Sequence, residues 1–120
     1  MVITQTKLQN AVIVTLSGRL DFNARHEFQS GMEKAKESGS SLIVLDMKDV
    51  SFIDSAALGL ITVAYKNMEV ENVCMVIAHA QDYVQKIFSL ANLQNIIKIF
   101  PSVDDAVSSG VSVESSRLGS

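Results

Sequence analysis

Residues 42–47, Leu-Ile-Val-Leu-Asp-Met, form a nearly unbroken apolar run. That pattern predicts a short central strand covered on both faces. Farther on, Leu58, Ile61, Tyr65 and Met68 recur at three- and four-residue spacing, which predicts a helix from residue 55 to about 68–70. Between the two elements stand Asp54 and Ser55, residue types that readily accept a hydrogen bond from the free N–H groups opening a helix. Ser55 is thus expected at or next to a helix N-terminus, just past the carboxyl end of a buried strand. Sites of open α/β sheets form at that end. Residue type alone leaves two readings of Ser55 open, a helix cap or a functional group.

The remaining pattern fits around this unit. Residues 2–8 read as a strand polar enough to lie at an edge. Gln9-Asn10 reads as a tight turn because Asn tolerates positive φ. Residues 11–16 make a stronger strand, antiparallel to the first. Asn23 is the expected cap of the next helix, whose inner face carries Ala24, Phe28, Met32 and Ala35, with Arg25, Glu33, Lys34 and Glu37 solvated. Gly31 weakens that helix and Gly39 ends it as a left-handed cap. After the 55–70 helix come a buried strand at 72–78 and a helix capped by Asp82 with Val84, Ile87, Phe88 and Ala91 inward. Asn92 stops that helix, residues 96–100 form the last strand, and Ser102-Val-Asp-Asp105 starts a short helix fading near Gly110.

The order β-β-α-β-α-β-α-β-α predicts a single α/β domain over residues 1–110, with a mostly parallel sheet, an N-terminal antiparallel hairpin and four helices. Residues 111–120, rich in serine and without periodicity, are expected to be a mobile tail. With parallel strands, the turns at 21–23, 48–54 and 79–81 leave the same sheet end. Asp21, Asp54 and Ser55 are therefore expected on one surface.

Composition narrows the chemistry. A hydrophobic content of 48% supports a packed core, and a net charge of −3 gives no footprint for nucleic acid or an anionic membrane. No apolar run reaches the roughly 18 residues of a spanning helix, and no signal peptide is visible, so a cytoplasmic protein without membrane insertion is expected. The one cysteine, Cys74, lies in Val73-Cys-Met-Val-Ile77 and reads as a small buried hydrophobe. Phosphate-loop and dinucleotide fingerprints are absent, and His26, His79 and Cys74 lack metal spacing. Asp46, Asp49 and Asp54 make a loose acidic series, but Asp46 falls in a strand and Asp49 reads as a turn residue. Ile53 and Ala57 replace both glycines of a nucleophile elbow, so a hydrolase using Ser55 is disfavoured and no enzyme is expected.

Val50-Ser-Phe-Ile-Asp-Ser-Ala-Ala-Leu-Gly59 resembles the aromatic-apolar-Asp-Ser-x-Gly/Ala-Leu-Gly pattern of the STAS domain of bacterial anti-sigma factor antagonists. Leu16-Ser-Gly-Arg-Leu-Asp21 is similar to the family's Gly-x-Leu/Ile-Asp strand end, and residues 84–93 support the likeness, which runs from about residue 2 to 109. The resemblance implies that Ser55 is phosphorylated by a partner that is both anti-sigma factor and serine kinase. It implies a partner contact through Asp21, Asp54, Ser55, Ala56, Leu58 and Gly59. It further implies a separate phosphatase, a monomer when free, and a domain with no cofactor or metal of its own, since ATP and Mg²⁺ belong to the kinase. Ala56 and Ala57 stand where many members carry Ser or Gly, and Asn92 where many carry Gly. The alternative within the resemblance is an accessory subunit of a lipid-transporting ABC complex, whose members commonly carry Thr at the serine position.

Overall fold

A computed structural model describes residues 1–113. Strand β1 (Val2–Leu8) pairs antiparallel with β2 (Ala11–Leu20), from Val2 opposite Ser17 to Leu8 opposite Ala11. Strands β3 (Leu42–Ile53), β4 (Cys74–Ala78) and β5 (Ile99–Phe100) add in parallel, so the sheet order follows the chain, β1-β2-β3-β4-β5. The helices are α1 (Arg25–Glu37), α2 (Ser55–Val70), α3 (Asp82–Leu90) and α4 (Val103–Ser108).

Strand alternation divides the core in two. Ile43, Leu45 and Met47 face the larger cluster, with Phe28 and Met32 of α1, Ile61 and Met68 of α2, and Val84 and Phe88 of α3. Leu42 and Val44 face the other side, where Ala106 of α4 covers them. Successive crossovers of one hand to the adjacent strand place α1, α2 and α3 on the same face. The side chains expected inside α1 are all buried. Gly31 has a packing reason as well as a helix penalty, because a Cβ there would lie 3.0 Å from Ile3 Cγ2.

The largest departure from the sequence reading concerns residues 48–54. They form no loop: β3 continues to Ile53 and β2 to Leu20, with Ser17 paired to Asp49 and Leu20 to Ile53. Asp49 is accordingly a strand residue. Two register shifts, between Thr15 and Ser17 and between Gly18 and Arg19, absorb the mismatch, and Gly18 takes φ +107. The polar residues Lys48, Asp49 and Ser51 are exposed while Val50 and Ile53 are buried. The extension is thus held by backbone pairing and one buried face.

Smaller corrections are confined to single turns and element ends. Gln9, at φ 59, takes the left-handed position instead of Asn10. Asn23 caps nothing; a 3₁₀ turn at Phe22–Ala24 precedes α1, and Asp21 caps it. Arg25 is half-buried. Asp82 is the first residue of α3, which follows Gln81 without a side-chain cap, and Ala91 is exposed. A second 3₁₀ turn at Leu93–Asn95 shortens β5, while β4 begins at Cys74, which is buried. Gly39 at φ +77 and Asn92 at φ 58 are left-handed as expected, and Ser102 caps α4. Past Gly110, Val111 and Val113 pack on the second cluster; the tail expected at 111–120 otherwise lies outside the described residues.

Candidate functional site

The carboxyl end of the sheet is tied together by one carboxylate. Asp54 ends β3 in extended conformation, and its Oδ1 accepts from Ala57 N at 2.9 Å. Its Oδ2 accepts from Phe22 N at 3.3 Å, which joins the segment between β2 and α1 to the start of α2. Behind them Gln81 Nε2 donates to Lys48 O at 2.8 Å, bringing in the β4–α3 connection. Of the three segments expected at one sheet end, 21–23 meets Asp54, whereas 79–81 meets β3 six residues earlier, at Lys48, because β3 runs on past the end of β4. Asp21, Asp54 and Ser55 share that end.

Ser55 is the first residue of α2, and Asp54 is its cap. The cap reading of Ser55 is thereby overturned. The cap position holds one residue in extended conformation, and Asp54 occupies it with its carboxylate on Ala57 N, while Ser55 already belongs to the first turn. The Ser55 side chain is exposed, and its hydroxyl has no hydrogen-bond partner among the described residues. Of the next positions, Ala56 and Leu58 are half-buried, Ala57 is fully buried and Gly59 is exposed. Ala57 is therefore a core contact as well as a helix former.

Sequence reasoning missed two arginine–aromatic pairs, one across the ends of β2 and β3 and one at the start of α1. Arg19 lies over the Phe52 ring at 4.0 Å, with its Nε 3.6 Å from Asp21 Oδ2. Arg25 lies over the Phe22 ring at 4.0 Å and donates from Nη1 to Phe22 O at 3.0 Å. Each ring's quadrupole attracts the guanidinium placed over its face. The only sequence signal was the closeness of arginines and phenylalanines at Arg19–Arg25 and Phe52. Asp21 also accepts from Asn23 N at 3.0 Å, so its carboxylate is held in place by its own turn.

This arrangement presents a hydroxyl at the positive end of a helix dipole, next to the fixed carboxylate of Asp54, with Asp21 in the adjoining β2–α1 segment. A phosphate there is tolerated locally, since helix N-termini favour anions. No group of three His, Cys, Asp or Glu able to hold a metal ion occurs among the described residues. No helix among them is long and apolar enough to cross a membrane.

The STAS domain family model matches residues 3–106. An anti-sigma F factor antagonist of Paenibacillus polymyxa is 28% identical over 107 residues, covering 88% of this chain and 89% of that protein. The crystal structure of an anti-sigma factor antagonist from Mycobacterium paratuberculosis superposes with a TM-score of 0.81 at 17% identity, over 90% of this chain and 92% of that one. The STAS domain of a SulP transporter from Vibrio cholerae superposes with a TM-score of 0.69 at 19% identity, over 87% and 83%. One fold thus occurs in anti-sigma factor antagonists and in a transporter domain, so the fold alone does not assign a role.

Proposed function

The chain belongs to the STAS domain family, and from that membership we propose that it is an anti-sigma factor antagonist switched by phosphorylation of Ser55. Unphosphorylated, it binds a cytoplasmic anti-sigma factor that is also a serine kinase, and so frees that factor's other client. The kinase transfers phosphate from ATP to the Ser55 hydroxyl and thereby ends the binding; a phosphatase restores it. This chain is substrate and ligand in the cycle and performs no catalysis. The observation that carries the reading is the division of labour at the start of α2. Asp54 supplies the cap, which leaves the Ser55 hydroxyl exposed and uncommitted.

Physics makes the switch local. Phosphoserine adds about −1.5 to −2 charges and three acceptors. The helix start accepts this charge, but a packed partner surface must desolvate it beside the carboxylates of Asp21 and Asp54. A penalty of about 4 kcal/mol lowers affinity close to a thousandfold.

The test supplies the cognate kinase with ATP and Mg²⁺, maps the phosphopeptide, and titrates each form with the kinase by calorimetry. Ser55 is expected to be the sole acceptor. Ser55→Ala is expected to bind whatever the ATP level, and Ser55→Asp to bind about thirtyfold more weakly, a change of about 2 kcal/mol. Phosphate on Ser51 or Thr62 sinks the assignment. Equal affinity of wild type, Ser55→Asp and phosphorylated protein sinks the switch and favours a constitutive contact in a transporter complex.

A further inference from the structure

Helices α1 and α2 run side by side on one face of the sheet, and an open groove of about 720 Å³ lies between them. Its floor is apolar and buried, formed by Phe28 and Met32 of α1 with Ala64 and Met68 of α2. The α1 wall is polar, with Arg25, Gln29, Glu33 and Lys36, but three large apolar side chains of the rim stand in solvent: Phe22 is 57% exposed, Val63 58% and Val70 85%. Single exposed apolar residues need no explanation, whereas several lining one groove mark an interaction surface.

Gly59 adds an independent sign. It lines the same groove in mid-helix, and a Cβ built there would meet nothing within 4 Å. Neither packing nor backbone conformation requires glycine, yet it weakens α2 by about 1 kcal/mol relative to Ala. A missing Cβ on an exposed helix surface allows another backbone to approach closely.

Shape and charge select the occupant. Small-ligand sites enclose roughly 70–90% of their ligand. Walls as exposed as Val63 and Val70 would leave the outer side of a small ligand wet, while a helix laid between α1 and α2 covers floor and walls together. The 16 residues of α2 span about 24 Å, room for about four helical turns. Charge along the groove is polar. Arg25 of the first turn of α1 stands at the end near Ser55 and Glu71 at the other, where Lys36 and Glu33 of α1 neutralise each other at 3.5 Å.

We propose that the groove is the second half of the partner-binding surface and receives an amphipathic helix of the kinase, its acidic end at Arg25 and its basic end at Glu71. The inference rests on the partner-switching reading, because the groove begins at Phe22 and Ala56, beside the phosphoacceptor. Binding then has two parts: an apolar anchor in the groove and a charge-sensitive end at Ser55.

The test uses the kinase that phosphorylates Ser55 as titrant against wild type, Val63→Lys/Val70→Lys and Ser55→Asp. Both valines are exposed, so the double variant is expected to keep its melting temperature while losing at least tenfold in affinity, with the same loss in a Ser55→Ala background. Hydrogen exchange on the wild-type complex is expected to protect residues 25–36 and 59–70 as well as 54–58. Undiminished affinity of the double-lysine variant overturns the proposal, as does protection confined to 21–23 and 54–58. A co-purified lipid in the groove that the kinase does not displace overturns it as well. Equal binding of Ser55→Asp and wild type removes the phosphorylation switch alone, and the lysine variant still decides the groove.

Discussion

Asp54 and Ser55 are neighbours with opposite dependence on their surroundings. The Asp54 carboxylate accepts from Ala57 N and from Phe22 N, two donors from different segments. Replacing it with Ala removes the cap of α2 and the tie to the β2–α1 segment, and is expected to lower stability by about 1–3 kcal/mol. Asp54→Asn keeps an acceptor at the cap and should recover part of that loss. Ser55→Ala removes an exposed hydroxyl with no partner among the described residues and should stay within about 0.5 kcal/mol of wild type. Urea unfolding of the three variants checks the pattern. A large loss for Ser55→Ala would return Ser55 to a structural role.

Among the elements, β3 and α2 carry the site, and two glycines test how they do so. Gly18 sits at φ +107 between the register shifts that let β2 follow β3 to Leu20. Any L residue is strained there, so Gly18→Ala is expected to destabilise by about 1–3 kcal/mol, as measured by thermal or urea unfolding. Gly59 in α2 is unconstrained, and Gly59→Ala is expected to stabilise by about 0.5–1 kcal/mol. Should Gly59→Ala stabilise the domain while weakening the kinase complex, the glycine serves the partner and not the fold. A Gly18→Ala/Gly59→Ala double variant whose stability departs from the sum of the two single effects would show that the strand extension and the helix are coupled.

For the whole molecule, the question is how far a phosphate is felt. The core lies on both faces of a five-stranded sheet, and the Ser55 hydroxyl touches none of it. Phosphorylation is therefore expected to perturb amide resonances at residues 54–58 and 21–23, through the Asp54 to Phe22 hydrogen bond, and to leave β1, β5 and α4 unchanged. Shifts spread across the sheet would mean that the phosphate acts by refolding the domain.

The sequence by itself determined the fold class and the place of Asp54-Ser55 where β3 gives way to α2. Apolar runs such as residues 42–47 bury both faces wherever they lie, and the stripe Ile61, Tyr65 and Met68 can bury itself only as a helix. The helix stops at Gly39 and Asn92 were legible for the same reason, since their signals are local. Tertiary structure decided what depends on partners distant in sequence. Lys48-Asp-Val-Ser-Phe-Ile53 looks like a polar connection until β2 supplies backbone groups to pair with it. That the Asp54 cap also ties α2 to the segment before α1, through the hydrogen bond from Phe22 32 residues away, is set by packing alone. The arginine–phenylalanine pairs and the α1–α2 groove likewise exist only once separate elements pack. Hydrophobic periodicity is a property of one segment, whereas hydrogen-bond choice and surface shape belong to pairs of segments.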